Sequence, residues 1–253
     1  MTNELSEYLT LKYDIEHNHI TTPNKVKRYN ELKTKIEKQE EEKKRKKAES
    51  EKQFKELAEL KKDLFKNNTL KSAFYPDDTY YLHDYHPKNI WKDGVKIPNP
   101  LKDNITKFII DIKNCDSNAI NKIVATFTQL LFNLNKFTIC IVPPSNSLKE
   151  TSGIKIIAKL LSQNGAIDGT DCIKRKYTIP SQHLSSERLS TPELKASLTI
   201  EKEELIKDRN ILLLDDLITR GNSFESSKEL LLEKGAKSVI CIALAKTSFD
   251  HNL

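Results

Sequence analysis

Three short apolar runs constrain the fold more than any other feature of this sequence. They read FTICIV (137–142), ILLLDD (211–216) and SVICIALA (238–245). Their apolar residues follow one another instead of alternating with polar ones, which is typical of strands buried on both faces of a parallel sheet. Stretches with helical spacing flank these runs, at 120–134, 153–165 and 223–236. The sequence therefore predicts an α/β fold in which helices cover both faces of a parallel sheet.

Two neighbouring details refine this prediction. KFIIDIK (107–113) is apolar, but its spacing fits a helix as well as a strand. In the stretch 223–236, Ser223 is the predicted N-cap and Gly235 the predicted stop of the last helix.

The first quarter of the chain has a different composition. No Gly or Pro follows Pro23 within residues 24–66, and fifteen of the twenty residues from Glu37 to Glu56 are charged. Such a stretch buries no core, but Glu–Lys pairs four residues apart keep it helical. We therefore expect a charged helical arm over 1–72 and an α/β domain over 73–253. Either the arm is a solvated helix or helical hairpin packed at its ends, or residues 24–66 form a coiled coil that dimerises or binds a partner protein.

Aromatic and turn-forming residues replace the charge run at 74–100, which reads FYPDDTYYLHDYHPKNIWKDGVKIPNP. This shift in composition sets the predicted boundary near residue 72. His83, Asp84 and His86 raise the question of a metal site. Because no further pair of metal ligands is visible, a structural role for these histidines is the favoured interpretation.

Several classes of protein are not indicated. The sequence has no apolar run near the roughly 18 residues of a membrane span and no basic-then-apolar N-terminus, so we expect neither a span nor a signal peptide. Its four cysteines form no C-x-x-C pair, which is typical of a reducing cytoplasm. The net charge of +6 is spread along the chain, so nucleic acid binding is permitted but not indicated.

The run ILLLDD continues into LITRGNSF, and this junction carries the predicted chemistry. Asp215 and Asp216 end a buried strand, and a turn containing Gly221 then opens a helix. A helix N-terminus reached through such a turn offers free N–H groups to a phosphate. Paired carboxylates bind sugar hydroxyls or a Mg²⁺ ion. The junction therefore predicts a phosphorylated ligand that also carries hydroxyl groups.

Three other families with similar strand ends are disfavoured. A P-loop requires G-x-x-x-x-G-K-[ST], and a dinucleotide-binding turn requires G-x-G-x-x-G; neither pattern occurs. A response-regulator receiver needs roughly a hundred residues after its acidic pair, and this chain ends at Leu253.

ILLLDDLITRGNS resembles the signature of the type I phosphoribosyltransferases, in which an aliphatic run, two acidic residues and two aliphatic residues precede a Thr-Thr-Gly-x-Thr/Ser loop. Other segments resemble the ComF-like branch of that family over about residues 75–247. They are IDIKNCDSNAI with Lys113, CIVPPSNS, and the stretch with Gln182, Leu184 and Arg188.

This resemblance implies a Rossmann-like, parallel-sheet domain that binds phosphoribosyl pyrophosphate (PRPP) with Mg²⁺ as cofactor. Asp215 and Asp216 would bind the ribose hydroxyls and the metal. The 5′-phosphate loop would comprise Thr219, Arg220, Gly221, Asn222 and Ser223. The pyrophosphate loop would present backbone amides from Pro144, Ser145, Asn146 and Ser147. Residues 172–197 would form a mobile loop with the cations Lys174, Arg175, Lys176 and Arg188, among which Lys174 and Arg188 are candidate catalytic residues.

The implied reaction displaces pyrophosphate at the anomeric carbon through an oxocarbenium-like state. Residues that select the acceptor base are expected within 74–100. Arg220 departs from the family pattern, because a small hydroxyl residue is usual there; it either adds a charge to the phosphate site or fills it. Two functions therefore remain: a phosphoribosyltransferase, or a non-catalytic module or effector that senses PRPP or a nucleotide in DNA uptake, repair or phage defence.

Overall fold

The computed structural model describes residues 3–17, 22–65, 69–73, 78–92, 95–180 and 189–248. The helices are α1 (Asn3–Glu16), α2 (Pro23–Leu64), α3 (Asn104–Lys113), α4 (Ser117–Leu130), α5 (Gly153–Ser162), α6 (Thr191–Ala196) and α7 (Asn222–Glu233). The strands are β1 (Lys71–Ser72), β2 (Thr79–Tyr85), β3 (Asn89–Lys92), β4 (Val95–Pro98), β5 (Phe137–Ile141), β6 (Ile167–Asp168), β7 (Ile173–Arg175), β8 (Leu198–Ile200), β9 (Asn210–Ile218) and β10 (Ser238–Thr247). Contacts divide the chain into two compact units, Met1–Leu60 and Lys61–Leu253.

The first unit is a hairpin of α1 against the first part of α2. The Glu7 carboxylate accepts two hydrogen bonds of 2.9 Å from Arg28, and the rings of Tyr8 and Tyr29 stack with centroids 5.5 Å apart. Leu32 is 1% exposed, so the helices share a small apolar core. The long helix predicted over 24–66 is confirmed by α2, whereas α1 had not been predicted as a separate helix.

Every side chain from Glu37 to Lys55 in α2 is exposed. Ion pairs four residues apart support the helix here, with 2.6 Å between Lys46 Nζ and Glu42 Oε1. This is the solvated, charge-paired segment that the composition predicts. Association of the arm with a second copy or a partner protein stays a prediction.

The second unit contains a six-stranded sheet in the order β1-β2-β10-β9-β5-β6. All neighbours in this sheet pair in parallel except β1 with β2. Strand β9 lies inside the sheet, with Leu214 in register with Ile141 of β5 and Ile242 of β10. The predicted fold class is confirmed: a mostly parallel sheet with helices and a long N-terminal helix.

Helices cover both faces of this sheet. Ile211 and Leu213 pack in one cluster with Phe224 and Leu231 of α7. The intervening Leu212 points to the other face, where α3, α4 and α5 pack against one another and against the sheet. No helix in the described residues is both long and apolar enough to span a membrane.

The aromatic segment contributes a core strand as well as a hairpin. Strand β2 pairs in parallel with β10, and β3 and β4 form a separate antiparallel pair. His83 lies edge-on to Phe108, with ring centroids 6.5 Å apart, and burial lowers the pKa of its imidazole. The Asp84 carboxylate forms an ion pair with Lys71. Within the described ranges, no three His, Cys, Asp or Glu residues are placed to hold a metal ion.

The ambiguous run KFIIDIK forms α3, a helix. Asp103 caps it by accepting a 3.0 Å hydrogen bond from the Thr106 N–H. Ile109 and Ile112 are 0% exposed, so the buried residues follow the helical spacing of three.

Gly153 provides a test of how closely α5 approaches α3. A Cβ atom at this position would lie 1.9 Å from the Ile112 carbonyl oxygen. We expect Gly153→Ala to lower the free energy of unfolding by about 1–3 kcal/mol or more, because backbone must move to admit the methyl group. Urea denaturation measures the loss. Lys159→Ala, at an exposed position of the same helix, is the control; equal unfolding midpoints for both variants would contradict this packing.

Candidate active site

Three groups of predicted site residues meet at the carboxyl edge of the sheet. Asp215 and Asp216 lie near the end of β9, and residues 219–223 follow directly. On the neighbouring strand, the Val142 N–H donates a 2.9 Å hydrogen bond to the Leu214 carbonyl. Because β5 and β9 run in parallel, the chain leaves β5 beside Asp215. The structure thus brings the two carboxylates, the loop 144–147 and the loop 219–223 to one edge.

The two carboxylates have different surroundings. Asp215 Oδ1 accepts a 2.8 Å hydrogen bond from the Asp216 N–H. Asp216 Oδ1 lies 3.3 Å from the ammonium of Lys113, at the end of α3. Burial, and next the negative charge of Asp216, raise the pKa of Asp215 well above its usual value. Lys113 and Arg175 oppose that rise in the pKa of Asp215.

Helix α7 begins without a capping side chain. Its N-cap is Gly221, with φ at 88°, a left-handed conformation that favours glycine. The prediction that Ser223 caps this helix is wrong, because Ser223 lies in the first turn and its carbonyl accepts a hydrogen bond from the Ser226 hydroxyl. In the described part of the chain, the N–H groups of Asn222 and Ser223 have no acceptor. They are therefore available to an anion.

By contrast, side chains cap the N-termini of α3, α4 and α5. The caps are Asp103, Asp116 and Ser152. A glycine at the same place in α7 keeps that helix end open at the edge of the sheet where the carboxylates lie.

Arg220 is exposed at the turn before α7. Among the described residues it forms no ion pair. Its guanidinium is therefore able to contact an anion bound at the start of α7.

The loop after β5 offers fewer amides than the sequence suggests. Pro144 has no N–H and is not an amide donor, so that part of the prediction is wrong. The Ser147 N–H donates a 3.1 Å hydrogen bond to the Thr178 hydroxyl. Within the described ranges, the N–H groups of Ser145 and Asn146 have no acceptor. These two groups are the amides that remain for a ligand.

The segment 172–197 is described at its two ends. Arg188 lies outside the described residues, as do Gln182 and Leu184. The Lys174 ammonium donates a 2.6 Å hydrogen bond to the Asp171 carboxylate, which also accepts a 2.8 Å hydrogen bond from Lys155. These two lysines lower the pKa of Asp171. In the described structure Lys174 is therefore held at Asp171, and no contact joins it to the carboxylates of β9.

Arg175 takes a position that sequence reasoning missed. It had been grouped with the cations of a mobile loop, but its guanidinium donates to the Pro143 carbonyl at 3.1 Å and the Pro144 carbonyl at 3.2 Å. A third hydrogen bond, of 2.6 Å, reaches the Ser197 hydroxyl. Burial lowers the pKa of Arg175 to about 10, against an opposing effect of Asp215. One signal in the sequence indicates that the Arg175 side chain lies on an inward face. Arg175 is two residues from the apolar Ile173, and alternate residues of a strand share a face.

We expect Asp215→Asn to stabilise the protein near neutral pH. The raised pKa means that the folded state binds this proton more tightly than the unfolded chain, so stability falls as the pH rises from about 4 through the raised pKa. An amide avoids that loss. Thermal unfolding at pH 7.5 should show a Tm higher by about 2 °C or more, which corresponds to roughly 1 kcal/mol. The difference should shrink toward pH 4.

Asp171→Asn is the matched control, because Lys155 and Lys174 lower the pKa of this carboxyl group and its loss should not raise Tm. A Tm for Asp215→Asn equal to that of the unsubstituted protein at pH 7.5 would mean that Asp215 is not destabilised by burial.

One family model matches the part of the chain that contains this site. Residues 151–251 match the model of the phosphoribosyl transferase domain, a span that contains β9, the loop 219–223 and α7. Comparison with curated protein sequences gives no match.

Solved structures that match parts of this chain include three phosphoribosyltransferases. The HGPRT-ase of Leishmania tarentolae in complex with GMP is 14% identical, with a TM-score of 0.26, over 56% of this chain and 70% of that one. A hypoxanthine phosphoribosyltransferase of Staphylococcus aureus is 16% identical, with a TM-score of 0.28, over 55% of this chain and 64% of that one. The adenine phosphoribosyltransferase of Thermoanaerobacter pseudethanolicus is 15% identical, with a TM-score of 0.34, over 75% of this chain and 99% of that one.

The ComF-like assignment stays a prediction, since none of these comparisons addresses it. At the level that they support, residues 151–251 match the model of the phosphoribosyl transferase domain, within a mostly parallel α/β fold.

Proposed function

We propose that this protein binds PRPP together with Mg²⁺ and transfers or releases the phosphoribosyl group at its anomeric carbon, with loss of pyrophosphate. One observation carries the proposal. Two sets of N–H groups without an acceptor among the described residues, at Asn222 and Ser223 and at Ser145 and Asn146, lie at the carboxyl edge of the sheet together with the paired carboxylates.

The shape of PRPP fits this order of groups. PRPP carries a phosphate at one end of its ribose, a pyrophosphate at the other, and a diol between them. Neighbouring parallel strands lie about 4.8 Å apart, so the loops that follow β5 and β9 are near enough to contact one such molecule. The carboxylates of β9 would accept hydrogen bonds from the diol.

The donor set also suits Mg²⁺. Asp215 and Asp216 supply carboxylate oxygens, and Mg²⁺ in proteins is commonly bound by one or two carboxylates together with substrate phosphates. Within the described ranges no larger cluster of metal ligands occurs, which is consistent with an ion that arrives with its substrate. When bound, the ion would neutralise charge on the pyrophosphate.

The residues of this chain would act mainly through position and charge. The open start of α7 and Arg220 would hold the 5′-phosphate, and the amides of Ser145 and Asn146 would bind the departing pyrophosphate. The carboxylates would stabilise the positive charge that develops on the ribose ring. The predicted roles of Lys174 and Arg188 would require the segment 172–197 to bring their cations to the pyrophosphate.

One observation favours the alternative, a module that senses PRPP or a nucleotide without turnover. The predicted catalytic cation Lys174 is engaged by Asp171. In that case the arm, through residues 24–66, would pass the signal to a partner protein in DNA uptake, repair or phage defence. Release of pyrophosphate on addition of PRPP and a nucleobase separates the two, because a sensing module gives none.

Calorimetric titration of the full chain with PRPP tests the proposal. We expect binding that requires Mg²⁺, and at least about a tenfold weaker affinity for Asp215→Asn/Asp216→Asn, because the variant loses the charged acceptors of the ribose and the metal. Arg209→Met, an exposed position at the opposite edge of the sheet, is the control and should bind normally. The absence of heat with the unsubstituted protein would refute the proposed ligand.

Arg220→Thr tests the departure from the family pattern. We expect the Kd for ribose 5-phosphate to rise about three- to tenfold, because an exposed cation beside the phosphate is lost. The effect should shrink in high salt, which screens exposed charges. Arg209→Thr controls for the loss of a positive charge elsewhere. Tighter binding by Arg220→Thr would show instead that the arginine obstructs the site.

A further inference from the structure

Arg175 is a half-buried cation without a carboxylate partner. Its donor groups bind two backbone carbonyls and the Ser197 hydroxyl, and within the described ranges no carboxylate forms an ion pair with it. Burying an unpaired charge is costly. This positive charge lies near Asp215 at the carboxyl edge of the sheet, and no ion pair within the described residues neutralises it.

The carbonyl that Arg175 binds sets the direction of an amide. In a planar trans peptide, the C=O of one residue and the N–H of the next point in opposite directions. Arg175 Nε holds the Pro144 carbonyl at 3.2 Å, so the N–H of Ser145 is directed away from the guanidinium.

The next peptide is fixed in the same manner. The Ile179 N–H donates a 2.9 Å hydrogen bond to the Ser145 carbonyl. The Asn146 N–H is therefore directed away from Ile179. The N–H groups of Ser145 and Asn146 have no acceptor within the described ranges, and in both peptides the carbonyl on the opposite side accepts a hydrogen bond.

We propose that Arg175 is a positioning residue for a pyrophosphate-type anion: it orients the Ser145 amide toward the ligand and places a positive charge behind the loop. This inference rests on the proposed function, because it assigns the anion at the loop 144–147 to the leaving pyrophosphate. The ligand contacts the amides of Ser145 and Asn146, while the guanidinium acts through the Pro143 and Pro144 carbonyls.

Two titrations of the full chain separate this role from a general loss of structure. Inorganic pyrophosphate probes the loop 144–147, and ribose 5-phosphate probes the start of α7. For Arg175→Met we expect the Kd for pyrophosphate to rise about tenfold or more, the usual effect of losing hydrogen bonds made by a charged group. The Kd for ribose 5-phosphate should stay within about twofold, because within the described residues Arg175 forms no hydrogen bond with the loop 219–223.

Amide resonances report the mechanism directly. In the unsubstituted protein, pyrophosphate should shift the ¹⁵N–¹H signals of Ser145 and Asn146. In Arg175→Met the Ser145 shift should be lost, while ribose 5-phosphate still shifts Asn222 and Ser223. Arg209→Met, the same substitution at the opposite edge of the sheet, should leave both patterns intact.

The outcomes distinguish this inference from the proposed function. If the unsubstituted protein binds neither pyrophosphate nor PRPP, the proposed function fails. If it binds both and Arg175→Met binds pyrophosphate equally well, the positioning role alone is overturned. Equal loss of both ligands by a folded Arg175→Met also overturns it.

Should Arg175→Met not fold, Arg175→Lys answers the same question. A lysine keeps the charge but lacks the planar fork that reaches two carbonyls and a hydroxyl together. We expect a several-fold weaker affinity for pyrophosphate and an unchanged affinity for ribose 5-phosphate. Unchanged pyrophosphate affinity and an unchanged Ser145 shift in this variant would overturn the role.

Discussion

The parallel pairing of β5, β9 and β10 is the constraint on which the rest of this site depends. Each of these strands runs in the same direction, so the loops that follow them leave from one edge. The hydrogen bond from the Val142 N–H to the Leu214 carbonyl fixes the register at which the loop after β5 meets Asp215. Leu212, Leu213 and Leu214 are all 0% exposed, so helices on both faces hold β9 in place. The site therefore derives its geometry from the sheet.

Several features at this edge are unfavourable for stability. Burial raises the pKa of Asp215, and α7 begins at Gly221 without a capping side chain. Arg175 is half-buried and forms no ion pair within the described residues. Natural proteins break local rules of this kind mainly where function requires it. A phosphorylated ligand with hydroxyl groups would satisfy all three, because it brings anions to the amides and the arginine, and hydrogen-bond donors or a metal to the carboxylates.

The sequence predicts those parts of the molecule that depend on local pattern. Consecutive apolar residues locate β9, and charged helix formers locate α2. It fails where distant contacts decide: α1 gains its place from Tyr8 and Leu32 in a hairpin, and the run containing Ile109 forms a helix because the sheet covers that face. The position of Arg175 likewise depends on carbonyls some thirty residues away, so composition could mark it only as one of several cations in the segment 172–197.

The central claim is that one PRPP molecule spans the two loops across the carboxylates of β9. A crystal structure of the full chain with PRPP and Mg²⁺ tests it most directly. The account predicts the 5′-phosphate on the N–H groups of Asn222 and Ser223, and the pyrophosphate on those of Ser145 and Asn146. A phosphate bound away from the start of α7, or a start of α7 that stays without an anion at saturating PRPP, would contradict it.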